Sequence, residues 1–120
     1  MALTNAGKNF IVQKAIVDQT IYVALAVDGT ELSGHGYSRL AWGTGAKNLN
    51  TTDNRAVSSA DLTIYTATDG SAQDANQAAY FDAATGGNQL TTWQNLTTDV
   101  AAPNNGQPVI FRTGQLFWDF

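Results

Sequence analysis

The sequence predicts an all-β fold: an antiparallel β-sandwich or jelly roll of about eight short strands, with one N-terminal helix. Three observations predict it. Short runs of β-branched and aromatic residues recur along the chain, from Ile21–Val27 to the closing Gln115–Phe120. Gly, Asn, Asp or Pro clusters separate them, as hairpin connections require. The polar residues between them are mostly Thr, Asn, Gln, Ser and Gly, and few are charged. With 120 residues the chain has the length of a single domain, 1–120, read here as a helical segment (1–18) followed by the β-sandwich (19–120).

The elements follow in order. Thr4 or Asn5 can cap a helix over about residues 4–16, because their side-chain oxygens accept an orphan backbone N–H. Leu3, Ala6, Phe10 and Val17 have spacings that can share one face, with Ile11 and Ala15 beside them, and Gly7 weakens the helix. Ile21–Val27 is a continuous apolar run ending at Asp28-Gly29, which reads as a buried strand and a tight turn. Glycines at 34, 36, 43 and 45 flank a strand over Tyr37–Trp42. Residues 46–54 read as a polar turn. Arg55–Ser58 and Asp61–Tyr65 are short strands, the second with Leu62 and Ile64 on one face and Thr63 and Tyr65 on the other. Residues 66–76 form a loop. Ala78–Asp82 and Gln89–Leu96 are partner strands joined through Ala84–Asn88, whose paired glycines supply positive φ. Pro103–Gly106 is a loop, and Pro108–Arg112 and Gln115–Phe120 close the fold through Thr113-Gly114.

Hydrophobic residues make up 43% of the chain, enough for a core. Charged residues make up 13%, about half the usual share in soluble domains. A surface of amides and hydroxyls is cheaper to bury against a partner than a charged one. The same composition also follows from β propensity and turn chemistry.

The net charge of −4 and six dispersed basic residues (Lys8, Lys14, Arg39, Lys47, Arg55 and Arg112) offer no track for phosphates, so nucleic acid is not an expected partner. Without cysteine there are no disulfides or thiolate metal sites. No apolar run reaches the roughly 20 residues of a membrane helix, and Met1–Asn5 lacks the features of a signal peptide, so no membrane association is expected.

Catalysis has few candidates. His35 is the single histidine and sits between Gly34 and Gly36, where a turn-shaping role outweighs that of a lone general base. Gly43–Lys47 superficially resembles a phosphate loop, but its spacing is wrong and Asn48 follows the lysine. Asp61, Asp69, Asp74 and Asp82 are the carboxylates that a glycosidase pair would draw on, although turn-forming roles are commoner for Asp. No calcium-loop pattern surrounds Asp69 and Asp74. No catalytic residue, metal ligand or cofactor is therefore assigned. Trp42, Trp93 and Trp118, with Tyr22, Tyr37, Tyr65 and Tyr80, raise sugar stacking as an alternative to packing in the core or an interface. Three aromatics fall within the last four residues, Phe117–Phe120, and are costly to leave in water.

With these segments placed, the chain resembles a family of short tailed-phage virion proteins, often labelled tail-fibre proteins. The resemblance is carried by Met1–Asn9, Ile21–Leu25, Leu32–Leu40 with its Gly-Tyr-x-Arg core at Gly36–Arg39, Ala79–Leu90 with its paired glycines, and Gly106–Leu116. The chain departs from the family pattern near Ser71–Ala78, where an apolar strand is usual.

The resemblance implies a non-enzymatic structural protein of the virion, made in the host cytoplasm. It would serve as a capsid decoration or cement protein or a head-fibre base, acting through subunit packing. A tail or tail-fibre accessory protein and a carbohydrate-binding receptor module are the alternatives. Its partners would be the major capsid protein, or fibre or tail subunits, together with copies of itself, a trimer being the form that analogy suggests. The candidate interface residues are Leu3, Phe10, Trp42, Phe117, Trp118 and Phe120.

Overall fold

The computed structural model describes residues 1–71, 73–97 and 108–119. An α-helix, α1 (Asn5–Val12), runs directly into a π-helical turn at Gln13–Val17. Ten strands follow: β1 (Ile21–Val27), β2 (Thr30–Glu31), β3 (Leu40–Trp42), β4 (Lys47–Asn50), β5 (Arg55–Ser58), β6 (Leu62–Ile64), β7 (Gln77–Phe81), β8 (Gln94–Asn95), β9 (Val109–Phe111) and β10 (Phe117–Asp119). The expected class holds: one N-terminal helix and antiparallel sheets, with more and shorter strands than the eight expected. By its contacts the chain divides into two compact units, each made of separated segments. One comprises Met1–Thr20, Trp42–Leu62 and Phe111–Phe120, the other Ile21–Ala41 and Thr63–Ile110.

In the first unit the helix starts where its cap requires. Thr4 has an extended backbone, and its hydroxyl accepts the Gly7 N–H at 3.0 Å. The Asp18 N–H bonds back to the Gln13 carbonyl, the five-residue step of a π turn. This turn changes the expected apolar stripe. Val12, Ile16 and Val17 face inward, whereas Leu3, Ala6 and Phe10 are exposed. Leu3 precedes the cap and so is not on the helix at all. The helical segment packs on β4 and β5 of a three-stranded sheet ordered β10-β5-β4. Ala56 pairs with Leu49 on one side and Trp118 on the other, and Val57 pairs with Asn48 and Phe117. Ala56 and Ser58 are buried and Arg55 and Val57 half-buried, the alternation of a sheet covered on one face.

Strand β4 lies in residues expected to be a polar turn. Its alternation is obscured because the inward position is occupied by a lysine, Lys47. The turn is confined to Thr51–Asn54, where Asn50 Oδ1 accepts the N–H groups of Thr52 and Asp53 and Asn54 takes φ 54°.

The second unit centres on β1, as predicted residue for residue. Val23, Ala24, Leu25 and Ala26 are all fully buried, consistent with a strand flanked on both sides. Its neighbours are β2, through a tight turn with Asp28 at φ 49° and Gly29 at φ 84°, and β7, in register from Tyr22↔Phe81 to Ala26↔Gln77. Strand β3 also pairs with β1, β8 extends the sheet beyond β7, and β6 pairs with β9. Ala24, Ala79 and Phe81 form a small core cluster onto which Tyr22 and Trp93 pack. The predicted turn at Ala84–Asn88 is present: Gly86 and Gly87 have positive φ, and Asp82 N–H reaches Asn88 O. Beyond it the expected strand Gln89–Leu96 shrinks to a single bridge, Phe81↔Gln89, and the two residues of β8. Side chains of Gln89 and Gln94 bond locally, to Thr91 O and Thr92 Oγ1, and the Thr91 hydroxyl accepts the Tyr80 N–H of β7 where a ladder carbonyl would. The Pro103–Gly106 loop lies outside the described residues.

Candidate interaction surface

Among the described residues, the first unit exposes four large apolar side chains: Met1, Phe10 at 65%, Leu3 at 43% and Phe117 at 43%. Phe10 is on α1, and Phe117 is on β10 beside Val57 in the cross-strand register. The Arg55 guanidinium lies 4.2 Å from the centroid of the Phe117 ring, so the aromatic is held in place by a cation while still meeting solvent. Trp118 is half-buried. Phe120 lies outside the described residues.

Trp42 departs from expectation. Read as a loop aromatic at an interface, it is fully buried at the end of β3, and its indole N–H donates to Ala46 O at 3.1 Å. The 3-10 turn at Thr44–Ala46 brings that carbonyl back under the ring. Lys47, itself only 4% exposed, sits 5.1 Å from the Trp42 ring centroid. Its ammonium donates to Trp42 O at 2.6 Å and to Gln19 O. Burial pushes its pKa down to about 8. No periodicity in the sequence signals a buried lysine within a polar stretch.

In the second unit the polar residues form a closed network. Arg39 makes a two-pronged pair with Glu31, Nε to Oε2 and Nη2 to Oε1, both at 2.9 Å. Its Nη1 donates to the carbonyls of Ala83 (2.8 Å) and Gly86 (2.9 Å), and the guanidinium lies 3.8 Å from the Phe81 ring centroid. Tyr37 donates to Glu31 Oε2 at 3.0 Å while its oxygen accepts the Leu25 N–H at 2.9 Å. Arg39 holds the Glu31 carboxyl below its ordinary range, and burial raises the Tyr37 hydroxyl far above its own. Gly36 precedes this pair at φ 82°, and a Cβ there would lie 1.8 Å from Thr68 Oγ1. The Gly-Tyr-x-Arg motif is therefore a clamp that ties β2 and the Ala84–Asn88 hairpin to β1.

Three of the four carboxylates considered for catalysis serve loops. Asp61 accepts the Thr113 N–H at 2.8 Å and meets Arg112, and Asp82 accepts the Asn88 N–H at 2.7 Å. Asp69 accepts the Ser71 N–H and meets His35 Nδ1 at 3.1 Å. The Ser71 N–H, ahead of His35, lowers the Asp69 carboxyl to about 2. His35 has φ 58°, the turn geometry expected between its two glycines. Among the described residues no three His, Asp or Glu side chains are gathered as a metal-holding group. Trp93 packs half-buried on Phe81, with ring centroids 5.9 Å apart. Among the described residues Trp42 is buried and Trp93 and Trp118 are half-buried.

Residues 13–119 match the family described as podophage GP4 fiber I protein gp80. The chain belongs to this family. It is thus a structural protein of phage fibres, as the resemblance implied. No curated protein and no solved structure matches it. The match includes the Gly36–Arg39 clamp, the paired-glycine hairpin and Phe117, and it begins after Leu3 and Phe10. Membership fits the two kinds of residue found: polar side chains consumed by the gp80-like fold itself, and apolar side chains left at the surface of the helical unit.

Proposed function

We propose that the chain acts as one structural module of the virion, mounted at a fibre and held there by packing against neighbouring subunits. The family match over residues 13–119 is the observation that carries this reading. The fibre description favours the base of a head fibre, or a tail-fibre accessory, over a cement protein spread across the capsid shell. Leu3, Phe10 and Phe117 supply apolar area for the contact. A stable interface needs about 800 Å² from each partner, so these side chains would form its centre and the amide- and hydroxyl-rich surface its rim. A homo-oligomer is the form proposed, and no catalytic step is part of the role.

The test is position and assembly. Labelled antibody or particle reconstruction should place the protein at a fibre attachment, and native mass spectrometry should show an oligomer that Phe10→Asp converts to folded monomer. Density spread evenly over the capsid would replace the fibre role with cementing. A wild-type monomer that is absent from purified particles would refute both.

A further inference from the structure

An open cleft of about 150 Å³ lies wholly within the second unit, lined by Gly36, Ser38, Arg39, Leu40, Thr63, Ile64, Tyr65 and Thr68. We propose that this cleft is a binding site for a single neutral sugar residue, with Tyr65 as the stacking platform and Ser38, Thr63 and Thr68 as hydroxyl partners. The proposal goes beyond the structural role and does not depend on it.

Size, charge and unused polar groups carry the inference together. The cleft is well below the roughly 300 Å³ at which sites for larger organic ligands begin, which suits one ring. Its one charged lining residue is already committed. Arg39 gives both prongs to Glu31 and its remaining terminal nitrogen to two carbonyls, so little of its charge is left for an anionic ligand. The other polar lining residues are hydroxyls. Among the described residues, Ser38 Oγ, Thr63 Oγ1, Thr68 Oγ1 and Tyr65 Oη have no protein hydrogen-bond partner, although the polar side chains around them are engaged. Each hydroxyl donates one bond and accepts two, the pairing that a polyol offers in return.

Tyr65 is 56% exposed, although its strand neighbour Ile64 is buried. An aromatic ring presents a flat apolar face, and a pyranose presents a matching face of axial C–H groups. Gly36 lets Thr68 pack against the backbone at the edge of the cleft: a side chain on residue 36 would collide with it. The tryptophans that the sequence suggested for this purpose are unsuitable, whereas the tyrosine beside the motif glycine is placed for it.

The test is nuclear magnetic resonance titration of the full chain with D-glucose, N-acetyl-D-glucosamine and L-rhamnose as neutral probes. D-glucuronate and inorganic phosphate serve as charged probes. At least one neutral sugar should shift the amides of Gly36, Ser38, Thr63, Tyr65 and Thr68 saturably. Tyr65→Ala should weaken that binding about tenfold or more, and Ser38→Ala should do so by less. Both positions are exposed, and an unchanged amide spectrum elsewhere verifies the fold. No saturable shift with any neutral sugar overturns the proposal. So does equal binding by Tyr65→Ala, or preferential binding of glucuronate or phosphate.

Discussion

Replacing Arg39 with methionine should cost the protein a large part of its stability. Methionine keeps most of the stem, so what is lost is the guanidinium and its bonds. Two of those bonds go to Glu31 and two to backbone carbonyls, from a side chain only 8% exposed. Breaking one partner from a buried ion pair costs about 3–5 kcal/mol, mostly because the other charge stays behind. Glu31 is 27% exposed and keeps Tyr37 as a donor, which trims the penalty. The two carbonyls and the contact with Phe81 add to it. A loss of about 3–4 kcal/mol is expected, a large fraction of the 5–15 kcal/mol typical of a domain. Urea unfolding followed by tryptophan fluorescence reads it directly, because Trp93 packs on the Phe81 ring beside the guanidinium. Glu31→Gln should cost less. In the double variant the penalties should be sub-additive by about 1–3 kcal/mol, because the orphaned charge is then absent. An Arg39→Met loss below about 1 kcal/mol, or strictly additive single changes, would refute the clamp.

Four further outcomes are expected. Lys47 has its pKa lowered to about 8 from 10.5, so the unfolded state binds more protons between those values. Stability should therefore rise by about 2 kcal/mol from pH 8 to pH 10, and the rise should be missing in Lys47→Met. The raised Tyr37 hydroxyl acts oppositely: its contribution is complete below pH 10 and falls above it, so denaturant midpoints should peak near there. Gly36→Ala should destabilise by about 2–4 kcal/mol through positive φ and the collision with Thr68, and Thr68→Ala should restore part of this in thermal melts. Thr4→Ala should cost about 1 kcal/mol by removing the helix cap, seen as a lower melting temperature.

The sequence disclosed best those elements whose cause is local. Strand β1, its Asp28-Gly29 turn, the Thr4 cap and the paired-glycine hairpin are specified by neighbouring residues, and all are found where expected. Features decided by distant partners were hidden. Strand β4 exists because β5 pairs with it and because Lys47 finds carbonyls at Gln19 and Trp42. Trp42 is buried because a 3-10 turn returns beneath it. Gln89–Leu96 has the composition of a strand, but its Gln89 and Gln94 amides bond within it and its Thr91 hydroxyl takes the Tyr80 N–H. At the surface, Phe10 and Leu3 stood out as apolar, but Leu3 lies ahead of the Thr4 cap and the inward face is set by Val12, Ile16 and Val17 around the π turn, which no periodicity signals. Tyr65 was one aromatic among seven Trp and Tyr residues, and only the placement of Gly36 and Thr68 beside it sets it apart.

The ladder between β5 and β10 joins Val57 to Phe117, half the chain apart. The helical unit thus pairs strands from two distant parts of the chain. Until β10 arrives, β5 has a vacant edge on the side that β10 will occupy, and folding of this unit waits on that pairing. Such late, long-range closure is slow and exposed to pairing with the wrong chain. That vacant edge is where pairing with a second copy would compete first. Substitutions that weaken β10 would act on assembly through folding rate before they touched any finished interface.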